Sequence, residues 1–175
     1  MHMKKIGLSL SPAEREEFTL IAQAAFVNPF SPERDALDRR IIGAPCTEDE
    51  AIERLLAAVQ EKIARLERAG RARVDLYAEA DRELMEKVFL FDIFHRFMND
   101  FDTLIRDQVN RGDESLGVPF GREALAQISA RGIAQDKILP YFAVFYQLRR
   151  AHYFIHHRIV GSSPCMRRLR MSLWN

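Results

Sequence analysis

The sequence predicts an all-α protein, a bundle of about six helices followed by a C-terminal linker helix. Three observations carry that prediction. Ser or Thr caps with a glutamate three residues on stand ahead of apolar stretches, a signature of helix N-termini. Apolar residues then step by three and four, the period of one helix face. Alternating apolar and polar runs are scarce, and no Asn-Gly or Asp-Gly joins two strand-like segments.

Each helix has its own start and stop. Ser11-Pro12-Ala13-Glu14 is a capping box with proline at the first helical position, and Phe18, Ile21, Ala22 and Ala25 follow at helical spacing. Asn28-Pro29 closes this helix, expected over 12–27. Ser31-Pro32 opens a short helix that Gly43 and Pro45 close. Thr47-Glu48-Asp49-Glu50 is a second capping box, and Ile52, Leu56, Val59, Ile63 and Leu66 form one stripe that stops at Gly70. That helix is expected over 48–69.

No Gly or Pro interrupts 75–110, which predicts one long helix. Phe91, Phe94, Met98, Phe101 and Ile105 share a face that Phe89, Leu90 and Phe97 widen, so burial on more than one side is expected. Gly112, Gly117, Pro119 and Gly121 make a loop before a shorter helix over 122–131. The last large helix is expected over 140–159. There Tyr141, Phe145, Leu148, His152, Ile155 and Ile159 step by four and three, placing His152 inside an apolar stripe with Leu148 and Ile155 on the same core face. Gly161 breaks it, and Ser163-Pro164 caps a final helix over 164–174.

The 175 residues suit one domain with a short extension, and 47% hydrophobic against 29% charged residues is ordinary for a globular chain. The formal net charge of +1 is unevenly spread. Arg149, Arg150, Arg158, Arg167, Arg168 and Arg170 lie among the last 27 residues, which hold no Asp or Glu, while the first 148 hold 20 Lys+Arg against 25 Asp+Glu. No aromatic interleaving accompanies these arginines as single-strand binding requires, so no direct nucleic-acid contact is expected. Cys46 and Cys165 have no zinc-type spacing and read as free thiols of a reducing cytoplasm. Lys4-Lys5 precede too short an apolar patch for a signal peptide, and no apolar run reaches membrane-span length. A cytoplasmic protein without a membrane partner is expected. Nucleophile-elbow and HExxH patterns are absent, and no pattern names a cofactor.

The stretch Ile159-Val160-Gly161-Ser162-Ser163-Pro164-Cys165-Met166-Arg167-Arg168-Leu169 resembles the start of the AAA+ ATPase domain of bacterial sigma-54-dependent transcriptional activators. In that family a hydrophobic-hydrophobic-Gly-x-Ser-Pro-x-Met pattern leads into the first helix. The wider run 142–175, and Phe26-Val27-Asn28-Pro29-Phe30-Ser31, also look like a subgroup whose helical N-terminal region feeds straight into that start. The chain has no G-x-x-x-x-G-K-[ST], so no P-loop cradles a nucleotide. The resemblance implies a regulatory domain at 1–159, truncated at the start of the ATPase domain at 160–175, with Gly161 as the hinge. It implies the chain's own AAA+ domain as direct partner, sigma-54 RNA polymerase as indirect partner and a homo-oligomer; lacking a P-loop, the chain itself is expected to be no enzyme, while the full-length protein is expected to be an ATPase. Leu169, Met171, Leu173 and Trp174 would then lack the domain they cover, and are expected to dangle or to dock on another copy.

His152 is the leading candidate for chemistry, because a histidine in an apolar stripe serves as switch, metal ligand or haem ligand. His156 follows four residues on. Asp92 and His95, three apart, are spaced like the carboxylate–histidine pairs of bundle metal sites. A helical metal- or haem-binding sensor built on His95, His152 and His156 is therefore the alternative function. The plainer reading of each is a buried polar group with a hydrogen-bond partner. Eleven of the 17 aromatics fall in 89–101 or 141–154. Phe94, Tyr141 and Phe145 among them would line an apolar effector pocket, or else pack two core helices face to face.

Overall fold

The computed structural model describes residues 7–45 and 47–175; Lys4, Lys5 and Cys46 lie outside the described residues. Among the described residues eight α-helices follow one another: α1 (Pro12–Ala24), α2 (Pro32–Ile42), α3 (Glu48–Arg68), α4 (Glu79–Arg96), α5 (Met98–Arg111), α6 (Gly121–Ala130), α7 (Gln135–Arg158) and α8 (Pro164–Trp174). A 3-10 turn, Val74–Leu76, precedes α4. The fold is all-α, as its capping and periodicity require, and among the described residues the sole ladder contact is a parallel bridge between Leu8 and Tyr77.

The caps work as their residue types dictate. The Ser11 hydroxyl accepts the Glu14 amide while the Glu14 carboxylate accepts the Ser11 amide, satisfying two orphan donors of α1. Ser31 and Ser163 accept the amides of Arg34 and Met166 ahead of Pro32 and Pro164. Gly43 ends α2 at φ 69°, a left-handed cap that only glycine adopts without steric cost.

Helix α4 is the centre of the bundle. It packs against α1, α3, α5 and α6, while α7 covers α5 and α6. Met85, Val88, Phe89, Phe91 and Ile93 are buried around its circumference, which is the multi-sided burial its apolar composition demands. Phe18 and Ile21 of α1 and Leu55, Val59 and Ile63 of α3 meet the same core.

The single helix expected over 75–110 is instead a turn and two helices. At its start, the Leu8 amide donates to Leu76 and the Ala78 amide to Leu8, so this backbone is committed to the N-terminal segment and α4 begins only at Glu79. Asp81, 1% exposed, fixes the same segment by accepting the Leu10 amide at 3.0 Å and pairing with Arg15. The second break falls at Phe97, with φ −97° and ψ 10°. No Gly or Pro is needed there: Phe97 is buried and its ring stacks on Phe120 across the bundle at 5.8 Å, so tertiary packing overrides local helix propensity.

Two further expectations are corrected. Helix α7 starts at Gln135 rather than at Pro140, because burying Ile138 requires the extra turn. Asp136 and Pro140 are both exposed, so the hydrogen bond that Pro140 cannot donate is lost on the solvent side, where it costs least. In α3 the buried stripe begins at Leu55, and Ile52 is 40% exposed.

No helix among the described residues is long and apolar enough to cross a membrane.

Candidate functional site

Asp92 and His95 share the last turns of α4 but have separate partners. Asp92 is buried and pairs with Arg96 Nε at 3.0 Å, with Arg131 Nη2 3.9 Å away. Burial raises its pKa, and the two guanidiniums pull against that. The Arg131 guanidinium also lies over the Phe89 ring. His95 Nδ1 sits 2.8 Å from the Phe91 carbonyl. A carbonyl only accepts, so the proton is on Nδ1. The rings of Phe91 and Phe94 flank it at 4.1 and 5.0 Å, and desolvation pushes the His95 pKa down to about 4.

Phe94 continues outward to Phe145 of α7, ring centroids 5.4 Å apart. The Tyr141 hydroxyl donates to Glu86 of α4, which Lys137 also contacts at 3.2 Å. Desolvation first, and the Glu86 carboxylate second, push the Tyr141 pKa up to about 12. Phe101, Phe120, Phe142 and Tyr146 form a second aromatic group joining α5, α6 and α7. The aromatics of α4, α5 and α7 pack these helices face to face. An open groove of about 800 Å³ lies elsewhere, between α1, α2 and α4, where Phe26, Val27, Glu33, Arg40 and Lys87 line it.

His152 lies in a third cluster. Its ring is stacked between Phe30 at 5.0 Å and His156 at 5.7 Å, with the Trp174 ring edge-on at 6.4 Å. Arg149 Nη1 is 3.3 Å from His152 Nδ1, and because arginine only donates, the His152 proton belongs on Nε2. Arg149 is itself held by both carboxylate oxygens of Asp102 on α5, at 2.6 and 2.5 Å. Desolvation, with Arg149 second, drives the His152 pKa down to about 3. His156 is exposed on its outer side, and its pKa is lowered by partial desolvation and by His157.

His152 is partly rather than fully buried, and Leu148 is 39% exposed, so the expected stripe is rotated. The inward face of α7 runs through Ile138, Phe145, Arg149 and His152, because Arg149 turns toward Asp102 instead of solvent. We expect His152→Ala to cost about 1–3 kcal/mol through a cavity and a stranded Arg149 donor. Urea unfolding measures this directly, and an unchanged midpoint would mean that the ring contributes nothing to the bundle.

Helix α8 folds back on the bundle. The Asn28 side chain, in the turn between α1 and α2, donates to the Met171 carbonyl at 2.8 Å and to Asn175 Oδ1 at 3.1 Å. Trp174 lies edge-on to Phe30 at 6.0 Å. Arg170 donates to the carbonyls of Ile159 and Gly161, bracing the joint, where Gly161 takes φ 121°. Leu169 and Leu173 face outward, 43% and 55% exposed.

The structure therefore gathers His152 and His156 with Phe30 and Trp174. It places Asp92 and His95 in a different turn of the core, each with its own partners. Among the described residues, no group of three or more His, Cys, Asp or Glu is arranged to hold a metal ion. The one described cysteine, Cys165, is free and exposed. Nothing in the sequence shows that Asn28 and Phe30 meet Met171 and Trp174, or that Asp102 holds Arg149. Within its own segment Asn28-Pro29 reads as a helix stop, and the partner of Asn28 lies 143 residues away. No family model, no curated protein and no solved structure matches the chain.

Proposed function

We propose that this chain is the regulatory domain of a sigma-54-dependent transcription activator. In this reading, residues 1–159 receive a signal and pass it through Gly161 to an AAA+ ATPase domain that residues 160–175 begin. The intact protein works as a homo-oligomer, and the ring ATPase acts on sigma-54 RNA polymerase.

One observation supports the reading most. The two stretches that carry the resemblance, 26–31 and the run ending at Asn175, lie far apart in sequence and touch in space through Asn28, Phe30, Met171 and Trp174. A regulatory domain needs such a contact, because a signal controls a motor only through a structure whose two arrangements both sites sense. The joint at Gly161 supplies the required freedom: a positive φ is open to glycine and strained for side-chain-bearing residues.

The experiment is a fusion. The chain is placed ahead of the ATPase and DNA-binding domains of a sigma-54 activator stripped of its own regulatory region, and sigma-54-dependent transcription is measured in vitro. The fused chain should change the transcript yield relative to the stripped activator, in either direction, by the fivefold or more that typical allosteric couplings give. An unchanged yield, with the fusion folded and bound to its promoter, defeats the reading.

A further inference from the structure

We propose that Asn28 and Phe30, in the turn between α1 and α2, form a releasable latch that holds α8 against the bundle and lets it swing out about Gly161.

Helix α8 is held by little. None of its residues is buried, and two of its large apolar residues, Leu169 and Leu173, point away from the body. Its attachments are few and specific. Asn28 Nδ2 donates to the Met171 carbonyl, one of the last four carbonyls of α8, which have no partner within the helix, and to Asn175 Oδ1. The Asn28 Oδ1 accepts the Phe30 amide at 3.0 Å, so the same side chain sets the turn and caps the helix. Phe30 in turn meets both the His152 ring and the Trp174 ring, which also touch each other edge-on at 6.4 Å. One short turn thus touches both α7 and α8, on either side of the hinge.

The hinge is built to move. Residues 159–163 are not helical, Gly161 is exposed at φ 121°, and Arg170 reaches back from α8 to the Ile159 and Gly161 carbonyls. The two bonds to the Ile159 carbonyl cross the pivot from α8 to the end of α7, so they break with the latch when α8 swings out. The other end of the turn, Phe26 and Val27, lines the open groove between α1, α2 and α4. A displacement of the turn on that side therefore reaches Asn28 within one or two residues. The latch follows from this chain's own contacts and stands whether or not an ATPase domain follows Asn175.

Trp174 is the chain's single tryptophan, which makes the latch directly visible. In the wild-type chain its emission should be shielded from acrylamide. Asn28→Ala should red-shift the emission and accelerate amide exchange across 164–174 by about fivefold, the effect of one net hydrogen bond. Exchange in α4 and the far-UV circular dichroism should stay unchanged. Phe30→Ala should do the same and more, and Asn28→Ala decides the matter if Phe30→Ala perturbs the core. Wild-type α8 should also exchange faster than α4, through opening that leaves the bundle intact. The proposal is overturned if α8 and α4 exchange at one common rate, if wild-type Trp174 is quenched as freely as a free indole, or if Asn28→Ala leaves both signals unmoved.

Discussion

Replacing Phe101 by alanine should lower the stability of the bundle by about 3–5 kcal/mol, the range for deleting a large buried aromatic. Phe101 is fully buried. Its ring meets Phe120 edge-on at 4.9 Å, Phe142 at 5.5 Å and Tyr146 at 6.5 Å, so one side chain joins α5, α6 and α7. The cavity would open where three helices converge, and a helix on one side cannot close it without leaving its neighbours on the other. Edge-on aromatic pairs add about 0.5–1.5 kcal/mol beyond area alone. For a domain of this size the thermal midpoint should fall by roughly 10 °C. Leu139→Ala is the matched control: Leu139 is 65% exposed, and its loss should stay within about 0.5 kcal/mol. Equal effects of the two variants would contradict the assigned core.

Acid should destabilise the protein well above the carboxylate range, and His95 should carry much of the effect. In the folded chain the His95 pKa is near 4, against 6.5 for an ordinary histidine. The native state therefore binds fewer protons than the unfolded state between those values, and stability falls as pH drops from about 6.5 toward 4. For His95 alone the loss from pH 7 to pH 5 is about 2 kcal/mol. His152, with its pKa near 3, acts in the same direction and over a longer range. Glu14, held near 2 by Arg71, adds its share only below the ordinary carboxylate pKa. Asp38 and Asp92, raised by burial, oppose these losses. Urea unfolding at pH 7 and pH 5 measures the sum. His95→Gln should remove about 2 kcal/mol of the difference, whatever the variant does to stability at pH 7. An unaltered pH dependence in His95→Gln would mean that the histidine is free to charge in the folded state.

The elements whose signals are local were legible in the sequence. Ser11–Glu14, Ser31-Pro32 and Ser163-Pro164 start helices where their side chains cap them, and Gly43 ends one where its φ is positive. What escaped was set by distant partners. The break at Phe97 depends on Phe120, and the late start of α4 depends on Leu8; neither has a marker in its own segment. The α7 stripe misled for a related reason. Arg149 reads as a solvent-facing charge, yet Asp102 draws it inward, and Leu148 turns out in its place. The candidate site divides in the same way. His152 and His156 at helical spacing were visible as neighbours, whereas Phe30 and Trp174, which complete the cluster around them, belong to other elements.

The central claim is that the helical bundle governs an AAA+ motor through the segment after Gly161. Its most direct test is the rate of ATP hydrolysis by the fusion described above, compared with the same fusion lacking residues 1–159. Coupling of the usual allosteric size predicts rates that differ by about fivefold or more. Phe30→Ala in the fusion should move the rate toward that of the deletion, since it frees α8 from the bundle without removing it. Identical ATPase rates for the full fusion, the deletion and the Phe30→Ala variant, with all three assembled to the same extent, would contradict the account.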